Sequence, residues 1–214
     1  GGPIPYARNQ HGCGVRIGIS GGTLYNCAVT NNSFTEYYVY GGGVGMLAGR
    51  VDRCLIADNK LLTGAPSSSG AGVHLEGSAV LENSVIVGNR TIGEGAVYVN
   101  SDNAVVRNCT IQGNQSSGSY SGGLYFIKGL ALNCAIYGNT SAAYNDVGPA
   151  AALTSANIRY CATVDGSGAN AVACRDPQFT DAAGRDFTFA AGSDLLDAGL
   201  AYEGAAAALD FAGR

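Results

Sequence analysis

The chain has 214 residues, a formal charge of −4, 13% charged side chains and 33 glycines. Its length bounds it to one ordinary domain or one solenoid. The acidic balance gives no basic footprint for nucleic acid, the low charge content argues against charge-driven disorder, and no run of about 18 apolar residues is present to span a membrane.

A seven-residue unit recurs at Asn26–Asn32, Arg53–Asn59, Asn83–Asn89, Asn108–Asn114 and Asn133–Asn139, with a weaker copy starting at Tyr160-Cys161. Its second position is Cys27, Cys54, Ser84, Cys109, Cys134 and Cys161, so successive copies are 27, 30, 25, 25 and 27 residues apart. A period in the twenties means stacked repeats. A slot that accepts Cys or Ser wants a small inward side chain, so the sulfurs read as a buried ladder and not as disulfides. There is no CxxC and only two histidines, which leaves zinc without support. Cys13 and Cys174 lie outside the ladder.

In chain order, each repeat begins with a glycine-led strand: Gly14–Ile19, Gly42–Leu47, Gly72–Glu76, Ala96–Asn100 and Gly123–Ile127. Apolar and other residues alternate, the period of a strand with one buried face. A tight turn is expected next, as at Ala48-Gly49-Arg50 or Ser101-Asp102-Asn103. A second strand then points Leu24, Val51, Leu81, Val106 and Ala131 inward. Asn, or Arg53 once, marks a bend, because Asn tolerates left-handed backbone. The Cys strand follows, with Val29, Ile56, Ile86, Ile111 and Ile136 inward. Loops of variable length close each repeat: Ser33–Tyr40 carries Tyr37, Tyr38 and Tyr40, and Lys60–Ser69 is longer. After Asn139 the repeat degrades, and Ser141–Ile158 is irregular.

This pattern leaves no room for helices and predicts an all-β, single-stranded parallel β-helix, a solenoid of about six coils. Residues 1–174 form the coils and residues 175–214 an irregular C-terminal cap. Phe179, Phe187, Phe189, Leu195 and Leu196 are expected to plug the bare end of the solenoid.

The Gly-Gly-led strand, the Asn-Cys-x-Ile-x-Gly-Asn unit and the tail motifs Asp176-Pro177-Gln178-Phe179, Asp186-Phe187-Thr188-Phe189 and Gly192–Gly199 together resemble the right-handed parallel β-helix repeat proteins of bacteria. The chain is similar to the repeats of polymorphic outer-membrane proteins and to the pectate-lyase-like superfamily, from about Gly12 to Arg214. The resemblance implies a right-handed coil and a secreted or cell-surface bacterial protein. Members include polysaccharide lyases, glycoside hydrolases, tailspikes, adhesins and passenger domains, so the fold leaves activity open. The chain opens inside a repeat, and Asp210–Arg214 matches a motif after which such chains continue, so a longer polypeptide is expected.

Stacking the glycine-led strands aligns Arg16, Gly45, His74, Tyr98 and Tyr125 in one outward column. The next outward column holds Gly18, Glu76, Asn100 and either Ile127 or Lys128. Tyrosines on successive rungs would form a flat strip for sugar faces, with Arg16, His74 and the Tyr37, Tyr38 and Tyr40 loop bonding hydroxyls or carboxylates. Tyr is also an ordinary exposed strand residue, which alone accounts for the column. The leading function is a non-catalytic carbohydrate-binding, adhesive or structural module, with a glycan partner and no cofactor, metal or nucleic acid. The alternative is a polysaccharide lyase or glycoside hydrolase working in a groove along this sheet. A lyase would use Arg16 or His74 as base beside Glu76, often with calcium held by several carboxylates. Glu76 is the only carboxylate this register assigns to the face, which is poor for calcium, and a glycosidase needs two carboxylates about 5–9.5 Å apart. Asp52, Glu82 and Arg107 read as a solvated charge ladder elsewhere. Outward Leu55, Val85 and Val87 form an apolar stripe, either covered by a loop or used for self-association.

Overall fold

The computed structural model describes residues 10–35, 39–62, 68–164, 168–169, 171–173, 176–196 and 198–199. The chain winds as an all-β parallel solenoid. Glycine-led strands Val15–Ile17, Val44–Met46 and Val73–Leu75 stack in parallel onto the long strands Val97–Arg107 and Leu124–Leu132. Second strands Thr23–Tyr25, Arg50–Asp52 and Val80–Glu82 join the far half of Val97–Arg107. The turn expected at Ser101-Asp102-Asn103 is therefore continuous strand, with register shifts at Asn100. Cys strands Ala28–Thr30, Leu55–Ala57, Val85–Val87, Thr110–Gln112, Ala135–Tyr137 and Ala162–Thr163 stack through five parallel pairings, about five turns. Short strands Ser33–Phe34, Lys60–Leu61, Arg90–Thr91 and Gln115–Ser116 close a fourth side. No helix among the described residues is long and apolar enough to cross a membrane.

A left-handed bend precedes each of the six Cys strands, and a second follows the first five. The first holds Asn26, Arg53, Asn83, Asn108, Asn133 and Tyr160, all with φ between 48° and 53°. The second holds Asn31, Asp58, Gly88, Gly113 and Gly138, with φ between 58° and 67°. Asn, Asp and Gly bear this conformation at least cost. The Cys slot has its own reason. Each thiol donates to the carbonyl two residues back, as Cys54 does to Asp52 (3.3 Å) and Cys109 to Arg107 (3.2 Å), and Ser84 does the same to Glu82 (2.6 Å). A small side chain with a terminal donor satisfies the slot, so Cys and Ser interchange. Cys54, Cys109, Cys134 and Cys161 are buried free thiols, whereas Cys27, on the outermost described rung of its sheet, is exposed. Cys174 lies outside the described residues.

The last Asn of each unit builds a second ladder, buried from Asn59 to Asn139 and half-buried at Asn32. Asn32, Asn59, Asn89, Asn114 and Asn139 each donate Nδ2 to the Oδ1 of the next, at 2.8–3.0 Å, and the run ends on Asp146. That Oδ1 also accepts the backbone N–H of the preceding Asn, and Nδ2 reaches a carbonyl such as Ile86. The buried amides thus leave no polar atom without a partner. Val29, Ile56, Ile86, Ile111 and Ile136 stack beside them in register and are buried, each contributing about 1.5–3 kcal/mol of apolar burial.

Phe179, Phe187, Phe189 and Leu195, expected as plugs, lie against the side of the solenoid. Strands Phe179–Asp181 and Asp186–Phe189 form an antiparallel hairpin against the outer face of the Cys sheet. Phe187 packs on Ala57, Val85 and Val87, with Leu55 alongside, while Leu195 packs with Ala135, Tyr137 and Ala162. Arg185 pins the hairpin to Asp58 at 2.6 Å. The stripe, expected either to be covered by a loop or to serve self-association, is covered by this chain's own tail. Leu196, expected as a plug, is 46% exposed.

Replacing Asn114 by Ala leaves the Asn89 backbone N–H, the Ile86 carbonyl and the Asn139 carboxamide short of a partner inside the coil. At about 1–3 kcal/mol per unpaired buried group, the expected loss is about 3 kcal/mol or more. Urea unfolding of Asn114→Ala beside the exposed Thr140→Ala measures it; a loss below about 1 kcal/mol would deny the ladder its role.

Candidate functional site

The register aligns the expected column. Arg16 pairs with Gly45, Gly45 with His74, His74 with Tyr98 and Tyr98 with Tyr125. The column is not a flat platform. The rings of His74 and Tyr98 lie 4.7 Å apart at 11°, and those of Tyr98 and Tyr125 lie 5.9 Å apart at 8°. Rings side by side in the sheet plane would collide at these separations, so they overlap face on face along the stack. Tyr40 leans on His74 at 4.9 Å and 45°, and Tyr120 meets Tyr125 edge-on at 5.5 Å. The faces expected to receive sugar are occupied by one another. What the row turns outward is ring edges and hydroxyls.

His74 is not an outward residue. It is 1% exposed, with Ser69 Oγ 2.8 Å from Nδ1 and Glu76 Oε1 3.1 Å from Nε2. Burial lowers its pKa, and the Glu76 contact only partly offsets this. A neutral imidazole has one N–H, so Ser69 donates to Nδ1 and Nε2–H donates to Glu76. Ser, His and Glu in a hydrogen-bonded chain are the residue types of acyl transfer. Ser69, however, is fully buried, so a substrate carbonyl has no open path to its Oγ. The chain positions Glu76, whose side chain is 37% exposed. Neither lyase base has the expected setting: His74 is sealed with both nitrogens engaged, and Arg16 stands two rungs away, about 10 Å along the axis, across the bare Gly45. Tyr37 and Tyr38 lie outside the described residues.

Glu94 is absent from the sequence reading, yet it belongs to this face. Glu94 bridges to Ser69, and Ser69 to Tyr40, as a column just before the glycine-led strands. The Tyr98 phenol is raised first by burial, then by Glu94 and Glu76. Burial likewise raises Tyr125, with Glu94 adding to it, and burial raises the Glu94 carboxyl itself. The face thus carries two carboxylates around Tyr98, not one. The signal was hidden by a one-residue shortening: Tyr40 and Ser69 stand four residues before Val44 and Val73, but Glu94 stands three before Val97. In the neighbouring column, Ile127 bulges out at 46% exposure and Lys128 takes the slot beside Asn100.

The ladder expected to be solvated is largely buried. Glu82 is 3% exposed and clamped by Arg50 at 2.8 Å and Arg107 at 2.6 Å, while Asp52 accepts the Asn83 amide at 2.9 Å. A buried carboxylate needs such pairing, and the trio ties three successive rungs together. Among the described residues, no three His, Cys, Asp or Glu converge as a metal site.

The family model described as the right handed beta helix region matches residues 7–172. No curated protein and no solved structure matches the chain.

The buried His74 carries a pH signature. Its folded pKa lies below the ordinary imidazole value of 6.5, so below that pH the unfolded chain binds a proton that the folded chain resists. Its contribution to stability is therefore present at neutral pH and falls as pH drops through about 6.5. Glu94 pushes the other way but is common to both proteins in the comparison. The stability of His74→Gln, followed from pH 7.5 to 5, is expected to fall less steeply than that of the parent. Parallel curves would mean that His74 takes up its proton as readily in the folded chain as in the unfolded one.

Proposed function

Because the chain belongs to the right-handed β-helix family, we propose that it is a non-catalytic, secreted or cell-surface module of a bacterium that binds an extended glycan along its glycine-led sheet. One observation carries the reading. The Tyr40–His74–Tyr98–Tyr125 stack fixes a row of polar ring edges, with Glu76 and Glu94 on either side of Tyr98. The rings hold one another, so little rotamer freedom remains to be lost on binding. The Tyr98 and Tyr125 hydroxyls, one rung or about 4.8 Å apart with carboxylates beside Tyr98, suit a linear polymer of sugar hydroxyls better than a compact ligand. Buried polar donors and acceptors also discriminate, because a ligand lacking the matching group leaves them unpaired.

A second reading has one specific support. Burial raises the Glu94 carboxyl, and Glu76, the second carboxyl of this face, accepts the His74 hydrogen bond. A carboxyl held toward its acid form beside a second carboxyl is the pair of groups a glycosidase uses.

Both readings meet in one experiment. The full chain is screened against a panel of neutral and acidic oligosaccharides, reading binding, new reducing ends and unsaturated product together. Binding without turnover is expected, weakened about tenfold by Tyr98→Ala and by Glu94→Gln, the equivalent of a lost hydrogen bond near 1.4 kcal/mol. Turnover abolished by Glu94→Gln would replace the binding module with a hydrolase. Failure to bind any sugar would remove the glycan reading altogether.

A further inference from the structure

A second groove runs along a different sheet, where the left-handed bend after each Cys strand meets the short fourth-side strands. It encloses about 550 Å³ and is lined chiefly by Asp58, Lys60, Arg90 and Gln115 over Gly88 and Gly113. Its wall is a single column, because Lys60 pairs in register with Arg90 and Arg90 with Gln115. Parallel pairing holds the two cations one rung apart, about 4.8 Å between backbones. Like charges at that spacing repel unless an anion lies between them. Neither Lys60 nor Arg90 makes an ion pair with a described residue, whereas Arg50, Arg107, Lys128 and Arg185 all do. The one carboxylate in the groove, Asp58, is already neutralised by Arg185 at 2.6 Å. A chain of net charge −4 thus presents a local strip of uncompensated positive charge. The floor is open as well: a Cβ at Gly113 would meet nothing within 4 Å, so the bend leaves room for a chain to lie along the backbone.

We propose that this groove binds a linear anionic glycan, with Lys60 and Arg90 each taking one carboxylate or sulfate. A uronate chain carries one carboxylate per sugar, so a segment of a few sugars offers an anion to each of the two cations. Arg90 offers a planar fork to a carboxylate or sulfate and Lys60 a point charge, while Gln115 continues the row as a neutral donor. The inference does not rest on the glycine-led face, and different residues report on each.

The test is calorimetric titration of the full chain with an oligogalacturonate hexamer, a heparin-derived hexasaccharide and neutral maltohexaose at low and moderate salt. At least one acidic sugar is expected to bind with salt-sensitive affinity, weakened about tenfold by Arg90→Ala and by Lys60→Ala. Tyr98→Ala is expected to leave it unchanged. All three side chains of the row are exposed, so the fold tolerates these changes, and an unshifted melting curve confirms it. Gln115→Lys extends the row by one rung and is expected to tighten binding severalfold. Galacturonate binding without heparin binding assigns a uronate groove, and the reverse assigns a sulfate groove. Equal affinity in parent and Arg90→Ala, no gain from Gln115→Lys, no binding of either acidic sugar, or tighter binding of a single-stranded oligonucleotide than of any glycan would each overturn the proposal.

Discussion

Each buried amide from Asn59 to Asn139 meets the next a single rung away, and this contact sets the register of every other column. An amide is donor and acceptor at once, so one residue type repeats along the stack without leaving an atom unpaired. The ladder tolerates no slip, because moving a strand by one residue would carry the amides out and the isoleucines with them. It ends where the repeat ends, on the carboxylate of Asp146, which accepts the last amide and needs no further acceptor.

Register at one rung governs the surface as strictly as the core. Aromatic side chains placed on consecutive rungs have too little room to lie flat beside one another, so they stack. Stacking stiffens the row and buries His74, and it exchanges a greasy platform for an edge of hydroxyls. The same geometry puts Lys60 beside Arg90 and Glu82 beside Arg107, with Arg50 reaching Glu82 diagonally from the preceding rung. In the second case the charges compensate and the carboxylate is buried. In the first they do not, and an open groove results.

The period made much of this legible. Five recurring Cys and a Ser at one slot were enough to place Arg16, His74, Tyr98 and Tyr125 in one column, since a solenoid turns sequence spacing directly into stacking. What the period could not carry was any feature that breaks it or that joins distant segments. Glu94 escaped because its coil is one residue shorter before the strand. The hairpin at Phe179–Phe189 packs on Val85 and Val87 from far along the chain, and no local pattern announces that contact. Ring orientation was illegible for another reason: alternation tells which way a side chain leaves the sheet but not how its plane turns. The burial of Glu82 depends on Arg50, a residue that opens the second strand of the preceding rung and looks like a solvated cation when read alone.

The stacked rings make the most exposed commitment of this account, because they predict that hydroxyl edges and not ring faces meet the glycan. Equilibrium binding of the Tyr98→Phe, Tyr125→Phe double variant tests it directly, since phenylalanine preserves the stack and removes only the hydroxyls. A loss of about tenfold or more against the parent is predicted for the glycan whose binding Tyr98→Ala weakens. Affinity kept within about twofold would contradict it and return the row to a platform of ring faces.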